Sequence, residues 1–557
     1  MSVHSSCSPL QLQRQQYQPK LPSILEHLRQ VGGHFKALDG NEADPSILSL
    51  FPQTKDQDEI VFSIQSGLPA HTPKRVGVLF SGGQASGGHN VITGLFDALV
   101  NLHHESRLFG FLGGPSGLIS DQHVEITHDL VQKYRNQGGF DMIGSGRTKI
   151  ETSAQYEAAL YTAEHLKLDA IVIIGGDDSN TNAALLAEFI KSKGRNICVI
   201  GVPKTIDGDL KNEHIEISFG FDTASKTFAD IIGNIARDAL SAKKYYHFIR
   251  LMGRSASHIA LECALQTHPN YVVIAEEVLE KAKTLQNITD EICDVISRRA
   301  AAGKNYGIIL LPEGIIEFIP EFRLLINELN TVLAPDKPHA LALDAATDKK
   351  ALLSTLLSDA SNQCFKSIPQ AIQEQLLMDR DPHGNVQVSK IETEKLFITA
   401  VEKELEERKQ KGLFQGKFSA QGHFLGYEGR SCYPSNFDSQ YCNALGYVAA
   451  LLIQMRATGY IATVSRLAEA VDEWQCGGIP LVKMMAMEER HGKQKPVIKK
   501  ALVDLNNAPF KTLAKLRDSW VQEDKYCFPG PIQFAGLPAL TEGRTFTLLL
   551  ESSKNLQ

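Results

Sequence analysis

DAIVIIGGDDSN, residues 169–180, joins an unbroken apolar run to paired glycines, paired aspartates and the opening of a helical pattern. Ile and Val without polar alternation are what a strand covered on both faces requires, and such strands belong to parallel sheets flanked by helices. The same order recurs on either side: RVGVLF (75–80) before SGGQASGGHN (81–90), LFGFL (108–112) before GGPSG (113–117), and NICVIGV (196–202) before PKTIDGD (203–209). It continues through YHFIRLM (246–252) before GRSASHIALECAL, through NYVVIAEEV (270–278), and through YGIILLPEG (306–314). Repeated strand, loop and helix predict an α/β fold with a mainly parallel sheet.

Outside this block the texture changes. Residues 1–72 are polar with scattered apolar positions and read as a peripheral N-terminal extension, while 317–420 carry helical periodicity and many charges. The run EKELEERKQKG (402–412) fits the solvated face of a helix. GHFLGYEGR (422–430) is a second glycine-marked segment ahead of an apolar helix, NALGYVAALLIQM. A chain of 557 residues exceeds one ordinary core, so two large domains with additions are expected.

Composition narrows the function. A formal charge of −7 leaves no basic field for wrapping nucleic acid, so phosphate recognition has to be local and its target small. No stretch reaches the roughly 18 apolar residues of a membrane helix, and the N-terminus has no apolar signal core, so a cytoplasmic location is expected. The nine cysteines form no CxxC pair and read as buried free thiols.

Ligands of open parallel sheets bind beyond the carboxyl ends of the strands, where backbone N–H groups and helix N-termini favour anions. The loop Ser81–Asn90 has four glycines but neither the Lys-Ser/Thr ending of a Walker loop nor the dinucleotide spacing. Asp177 and Asp178 repel each other at a strand end, a conflict that a cation resolves; Mg²⁺ takes one or two carboxylates plus phosphate oxygens, which makes Asp177 a candidate ligand. Helix capping is the structural alternative for both. The loop Pro203–Asp209 supplies Lys204, Thr205, Asp207 and Asp209 together, against the alternative of an ordinary Asp-Gly turn. A sugar hydroxyl attacking phosphorus needs a base, and the Asp207 carboxylate can be that base, with Lys204 neutralising charge on the transferred group.

Taken in order, SGGQASGGHN, GGDDS, PKTIDGD, MGR (252–254), PEG (312–314) and GYEGR (426–430) resemble the phosphofructokinase family, over residues of roughly 75 to 465. The long pyrophosphate-dependent class is the one whose extensions the remaining segments resemble. The resemblance implies two similar doubly wound, Rossmann-like domains with helical insertions and terminal extensions. On this reading a donor domain spans 73–240 and a sugar-phosphate domain 241–316 and 421–500, with a helical insertion at 317–420 and a C-terminal extension at 501–557. Fructose 6-phosphate is expected between the two domains.

By position, the resemblance makes Gly82 a contact of the donor phosphate, Arg147 a pyrophosphate ligand, Asp177 the Mg²⁺ ligand and Asp207 the proton acceptor, with Asp209 in support. Thr205, Ile206 and Asp207, Met252, Gly253 and Arg254, Glu313, and Tyr427, Glu428, Gly429 and Arg430 match segments that hold the sugar phosphate, Arg430 suiting the 6-phosphate. Lys244 and Tyr245 match a pair that reaches a neighbouring subunit's substrate, which implies a homodimer or larger homo-oligomer.

The family's ATP-dependent branch has glycine at the positions of Asp178 and Lys204. A carboxylate at 178 would face the ATP α-phosphate; unit charges 4 Å apart repel by about 4 kcal/mol at an effective dielectric near 20. Pyrophosphate escapes that repulsion, so the expected reaction is reversible, Mg²⁺-dependent phosphoryl transfer from pyrophosphate to the 1-hydroxyl of fructose 6-phosphate. The alternatives are an ATP-dependent kinase, a kinase of sedoheptulose 7-phosphate, and a regulatory subunit that keeps the fold without turnover.

Overall fold

A computed structural model describes residues 7–37, 44–333, 349–378, 386–490 and 493–553. Parts of the expected N-terminal extension (1–6 and 38–43), of the 317–420 insertion (334–348 and 379–385) and of the segments at 491–492 and 554–557 lie outside the described residues. The chain divides into two compact units, one of residues 1–225, 427–501 and 532–557, the other of 226–426 and 502–531.

The first unit is built on a long mixed sheet. Its central strands, Arg75–Ser81, Ala170–Gly175 and Cys198–Thr205, are the apolar runs of the sequence, and they pair in parallel. Arg107–Phe111 joins Arg75–Ser81 on the other side, also in parallel. From the first strand the chain therefore goes one way to Arg107–Phe111 and then returns past its start to Ala170–Gly175, which creates a topological switch point between Arg75–Ser81 and Ala170–Gly175.

The sheet extends further than the apolar runs foretell. Tyr460–Ser465 adds a parallel strand beside Cys198–Thr205, with Tyr460 opposite Ile200, and Gln475–Pro480 follows antiparallel. Glu59–Ile64 and Val31–Lys36 complete that flank as an antiparallel pair. The expected N-terminal extension thus contributes the two outermost strands of that flank, and residues 427–500 belong to the first unit rather than to the expected sugar-phosphate domain. The reason is backbone pairing between segments more than 250 residues apart, which no local pattern encodes. The apolar helix Asn436–Gln454 packs in the same unit against Gly88–Leu102; a Cβ on Gly94 would meet the Asn443 carbonyl at 2.4 Å, so the crossing depends on that glycine.

The second unit has a four-stranded sheet among the described residues, in the order Tyr271–Val272, Gly307–Pro312, Tyr246–Leu251, Ala420–Leu425, with every pairing parallel. NYVVIAEEV forms only a two-residue strand, because Ala275–Glu280 turns helical; Glu276 Oε1 accepts hydrogen bonds from the amides of Ser257 and Val503 there. The described residues of the helical stretch 317–420 are integral to this unit: Phe322, Leu325, Phe365, Leu396, Phe397 and Val401 share one core with Tyr246, Phe248 and Leu311. In the charged run, Arg408 pairs with Glu404, Asp294 and Asp290, while Leu405 is buried. The C-terminal extension divides, Leu502–Pro531 packing in the second unit and the rest in the first. No helix among the described residues is long and apolar enough to cross a membrane.

Candidate active site

Three loops leave the first unit's sheet at one end. Ser81 lies opposite Gly175 and Gly175 opposite Pro203, so the chain reaches Gly82, Gly176 and Lys204 from adjacent strand ends at the switch point. Gly82 adopts φ +89°, and its amide donates to the Gly146 carbonyl at 2.9 Å, which sets the glycine loop beside the exposed Arg147. A Cβ on Gly82 would stand 3.3 Å from the Lys204 ammonium, and one on Gly83 would meet the Arg430 guanidinium at 2.9 Å. The glycines thus leave room for the ends of two cationic side chains close to the loop backbone.

Asp177 and Asp178 open the helix Asp177–Ser192, for which Gly176 is the N-cap. In the first turn both carboxylates are favoured by the helix dipole. Asp178 is half exposed and pairs with Lys149 at 3.5 Å. Asp177 is more enclosed; its Oδ2 is buried without accepting a hydrogen bond and lies 3.7 Å from the Lys500 ammonium. In the next loop, Thr205 Oγ1 accepts from the Asp207 amide at 3.1 Å and donates to Asp209 Oδ1 at 3.1 Å, so one hydroxyl sets the positions of both aspartates.

Electrostatics of the cluster are unusual. Burial lowers the Lys204 pKa to about 8, aided by Arg430 and resisted by Asp207, Asp177 and Asp209. Lys204 is 6% exposed and has no ion-pair partner within 4 Å among the described residues. Burial also raises Asp209 to about 7, followed in effect by the neighbouring Asp207 carboxylate. Buried ionised groups are costly unless paired, so such a cluster is a candidate site for a charged ligand. No group of three or more His, Cys, Asp or Glu is arranged to hold a metal ion among the described residues. Mg²⁺ does not need one: a carboxylate or two plus substrate oxygens and water suffices, and the orphaned Asp177 oxygen fits that donor set.

Arg430 follows the short helical turn Tyr427–Gly429 and donates to the Gln84 carbonyl at 3.1 Å. Tyr427 is 74% exposed, whereas Ile206 is 1% exposed and its side chain belongs to the core, so a ligand could meet Ile206 only through its backbone. In the second unit, Met252, Gly253 and Arg254 follow the strand Tyr246–Leu251, and the buried Glu313 accepts from the Gly253 amide at 3.2 Å. Met252 is also buried, which again leaves backbone contacts. Lys244 and Tyr245 lie exposed before the same strand, at the opposite end from Met252 and about 20 Å away along it. They are not part of that cluster. Two cations of the first unit's site, Lys149 and Lys500, escaped sequence reasoning; Lys500 follows the strand Lys493–Ile498, about 300 residues from the aspartates, and no local signal links them.

A doubly wound sheet with a buried lysine and clustered carboxylates at its switch point defines a phosphate-handling α/β protein. The Phosphofructokinase family profile matches residues 75–453. The chain is 52% identical over 557 residues to the pyrophosphate–fructose 6-phosphate 1-phosphotransferase of Treponema pallidum, covering 98% of this chain and 97% of that one. It is 52% identical over 537 residues to subunit beta 1 of the enzyme of that name in Arabidopsis thaliana, covering 95% and 92%. The crystal structure of a pyrophosphate-dependent phosphofructokinase from Nitrosospira multiformis shares the fold, with a TM-score of 0.53 at 15% identity, over 84% of this chain and 95% of that one. This chain belongs to the phosphofructokinase family.

Proposed function

We propose that the chain catalyses reversible transfer of a phosphoryl group from pyrophosphate to the 1-hydroxyl of fructose 6-phosphate, giving phosphate and fructose 1,6-bisphosphate. The observation that carries the reading is the buried Lys204, without an ion-pair partner within 4 Å among the described residues, beside a buried Asp177 oxygen that accepts no hydrogen bond. That cation, and a carboxylate oxygen that accepts no hydrogen bond although the Lys500 ammonium stands 3.7 Å away, are both satisfied by a metal-bound diphosphate. The near-identity in length with relatives named for this reaction supports the same substrates.

In this reading Gly82 and Arg147 hold the donor, and Asp207 takes the proton as the sugar oxygen attacks the nearer phosphorus. One P–O bond forms, the bridging P–O bond breaks, and phosphate leaves. Lys204 offsets the charge that shifts from bridge to leaving oxygen, the kind of preorganised contribution on which phosphoryl transfer depends. Asp209 keeps Thr205, and through it the Asp207 amide, in place. Asp177 would hold Mg²⁺, which when bound supplies charge neutralisation at the donor's phosphate oxygens.

Asp178 disfavours a donor with a third phosphate, although its exposure and Lys149 reduce the repulsion below the bare value. Thr205 to Asp207, Met252 to Arg254, Glu313 and Tyr427 to Arg430 bind the sugar phosphate. The enzyme works in the cytoplasm as a homodimer or larger homo-oligomer in which Lys244 and Tyr245 serve the neighbouring subunit; their exposure, at the strand end opposite Met252, supports that role. The test is fructose 1,6-bisphosphate formation by the purified chain with fructose 6-phosphate and Mg²⁺, comparing pyrophosphate with ATP at equal concentration. Turnover with pyrophosphate supports the reading, turnover with ATP alone overturns the donor assignment, and silence with both overturns the reaction.

A further inference from the structure

Lys500 stands among the acidic loops through two separate tethers. The Ile498 amide donates to Thr181 Oγ1 at 3.0 Å, and that hydroxyl donates in turn to the Asp177 carbonyl at 2.9 Å. On the other side of Lys500, the Ala501 amide donates to the Asp209 carbonyl at 2.7 Å. The segment 498–501 is thereby fastened to the first turn of the Asp177 helix and to the Asp207 loop. Between the tethers the Lys500 ammonium lies 3.7 Å from Asp177 Oδ2 and 4.0 Å from Asp209 Oδ2. Its side chain is 35% exposed, against 17% for Asp177 and 7% for Asp209, so the lysine reaches the carboxylates from the solvent side.

A cation at this place has two opposite consequences. It neutralises carboxylates that would otherwise repel one another, and it occupies the side of Asp177 that a divalent cation would approach. A metal alone therefore has to enter against a like charge. A metal that arrives with pyrophosphate brings excess negative charge, to which the released ammonium can turn.

We infer that Lys500 is an internal counter-ion of the donor site, which holds Asp177 and Asp209 while no metal is bound, opposes metal alone, and favours metal together with pyrophosphate. The role rests on the proposed donor site but makes its own prediction about cation binding. It couples the two ligands: each enters better with the other, and unproductive loading of the carboxylates by metal is suppressed.

The experiment is Mn²⁺ binding to the full chain, followed by electron paramagnetic resonance of free Mn²⁺, with MnCl₂ alone and with MnCl₂ plus the non-hydrolysable imidodiphosphate. Lys500→Met is expected to bind Mn²⁺ alone about tenfold more tightly, and to lose about tenfold of the tightening that imidodiphosphate confers on the wild-type protein. Lys500→Arg, which keeps the charge, is expected to stay within about threefold of wild type in both arms and serves where the methionine variant does not fold. Unchanged or weaker binding of Mn²⁺ alone by Lys500→Met overturns the inference, as does a Lys500→Arg variant that behaves like a neutral one. Both arms read out without turnover, so an enzyme inactive with pyrophosphate would overturn the proposed reaction while the Mn²⁺-alone result still decides the role of Lys500.

Discussion

Buried charge is handled in opposite ways in the two units. At the switch point of the first unit, Lys204 is lowered to about 8 by burial and has no ion-pair partner within 4 Å among the described residues. In the second unit Glu277 accepts two hydrogen bonds from Arg517, at 2.7 and 2.9 Å, and a third from Lys281 at 2.7 Å. Burial alone would push that carboxyl up, but these partners hold it down at about 2. Burial is common to both, and both values fall; for the lysine that disfavours the charged form, whereas for the carboxyl the partners make the charged form the favoured one. Where the protein supplies the counter-charge, the pair holds structure together. Where it does not, the ligand has to.

The comparison breaks first at Asp207. Asp207→Ala is expected to reduce turnover by about 10³-fold, about 4 kcal/mol in activation free energy, while the melting temperature moves by only about 2 °C. Steady-state assays beside thermal unfolding check this, and turnover at the wild-type level would remove Asp207 as the base. The reverse signature belongs to Arg517→Ala, expected to cost about 3 kcal/mol of stability by leaving Glu277 buried without its main partner, with the first unit's chemistry intact.

The pH dependence of that second effect has a fixed sign. A carboxyl whose folded pKa lies below its ordinary value stabilises fully above the ordinary value, and the contribution is lost as pH falls through the folded pKa. The difference in melting temperature between wild type and Arg517→Ala is therefore constant from pH 8 to 5 and narrows below about pH 4.5, toward the Glu277 value of about 2. A difference that widens on acidification would mean that the pair does not contribute as an ion pair. The smallest effect is at Asp178, half exposed and paired with Lys149. Asp178→Gly is expected to shift donor selectivity toward ATP by about tenfold, or about 1.4 kcal/mol, and an unchanged ratio of kcat/KM values for the two donors would refute the charge argument.

Legibility followed the range of the interactions. The strands Arg75–Ser81, Ala170–Gly175 and Cys198–Thr205 could be read because burial on both faces leaves a continuous apolar run, and the acidic and basic loops were visible because they follow those runs directly. Glu59–Ile64, Tyr460–Ser465 and Gln475–Pro480 were not read as strands of this sheet, and residues 427–500 were therefore assigned to the other domain, although the chain does change units close to residue 421. Side-chain direction was equally hidden: Ile206 and Met252 stand in functional motifs, yet both side chains are buried.

By itself the sequence determined the α/β class, the order of the loops and the chemical types at positions 177, 178, 204, 207 and 209, because each depends on residues adjacent along the chain. Only the tertiary structure decided that Tyr460–Ser465 extends the first sheet, that Lys204 is buried without an ion-pair partner within 4 Å among the described residues, and that Lys500 faces Asp177. Strand pairing and counter-ion placement are long-range contacts between segments that carry no mark of one another, and they come into being only when the chain closes those distances on folding.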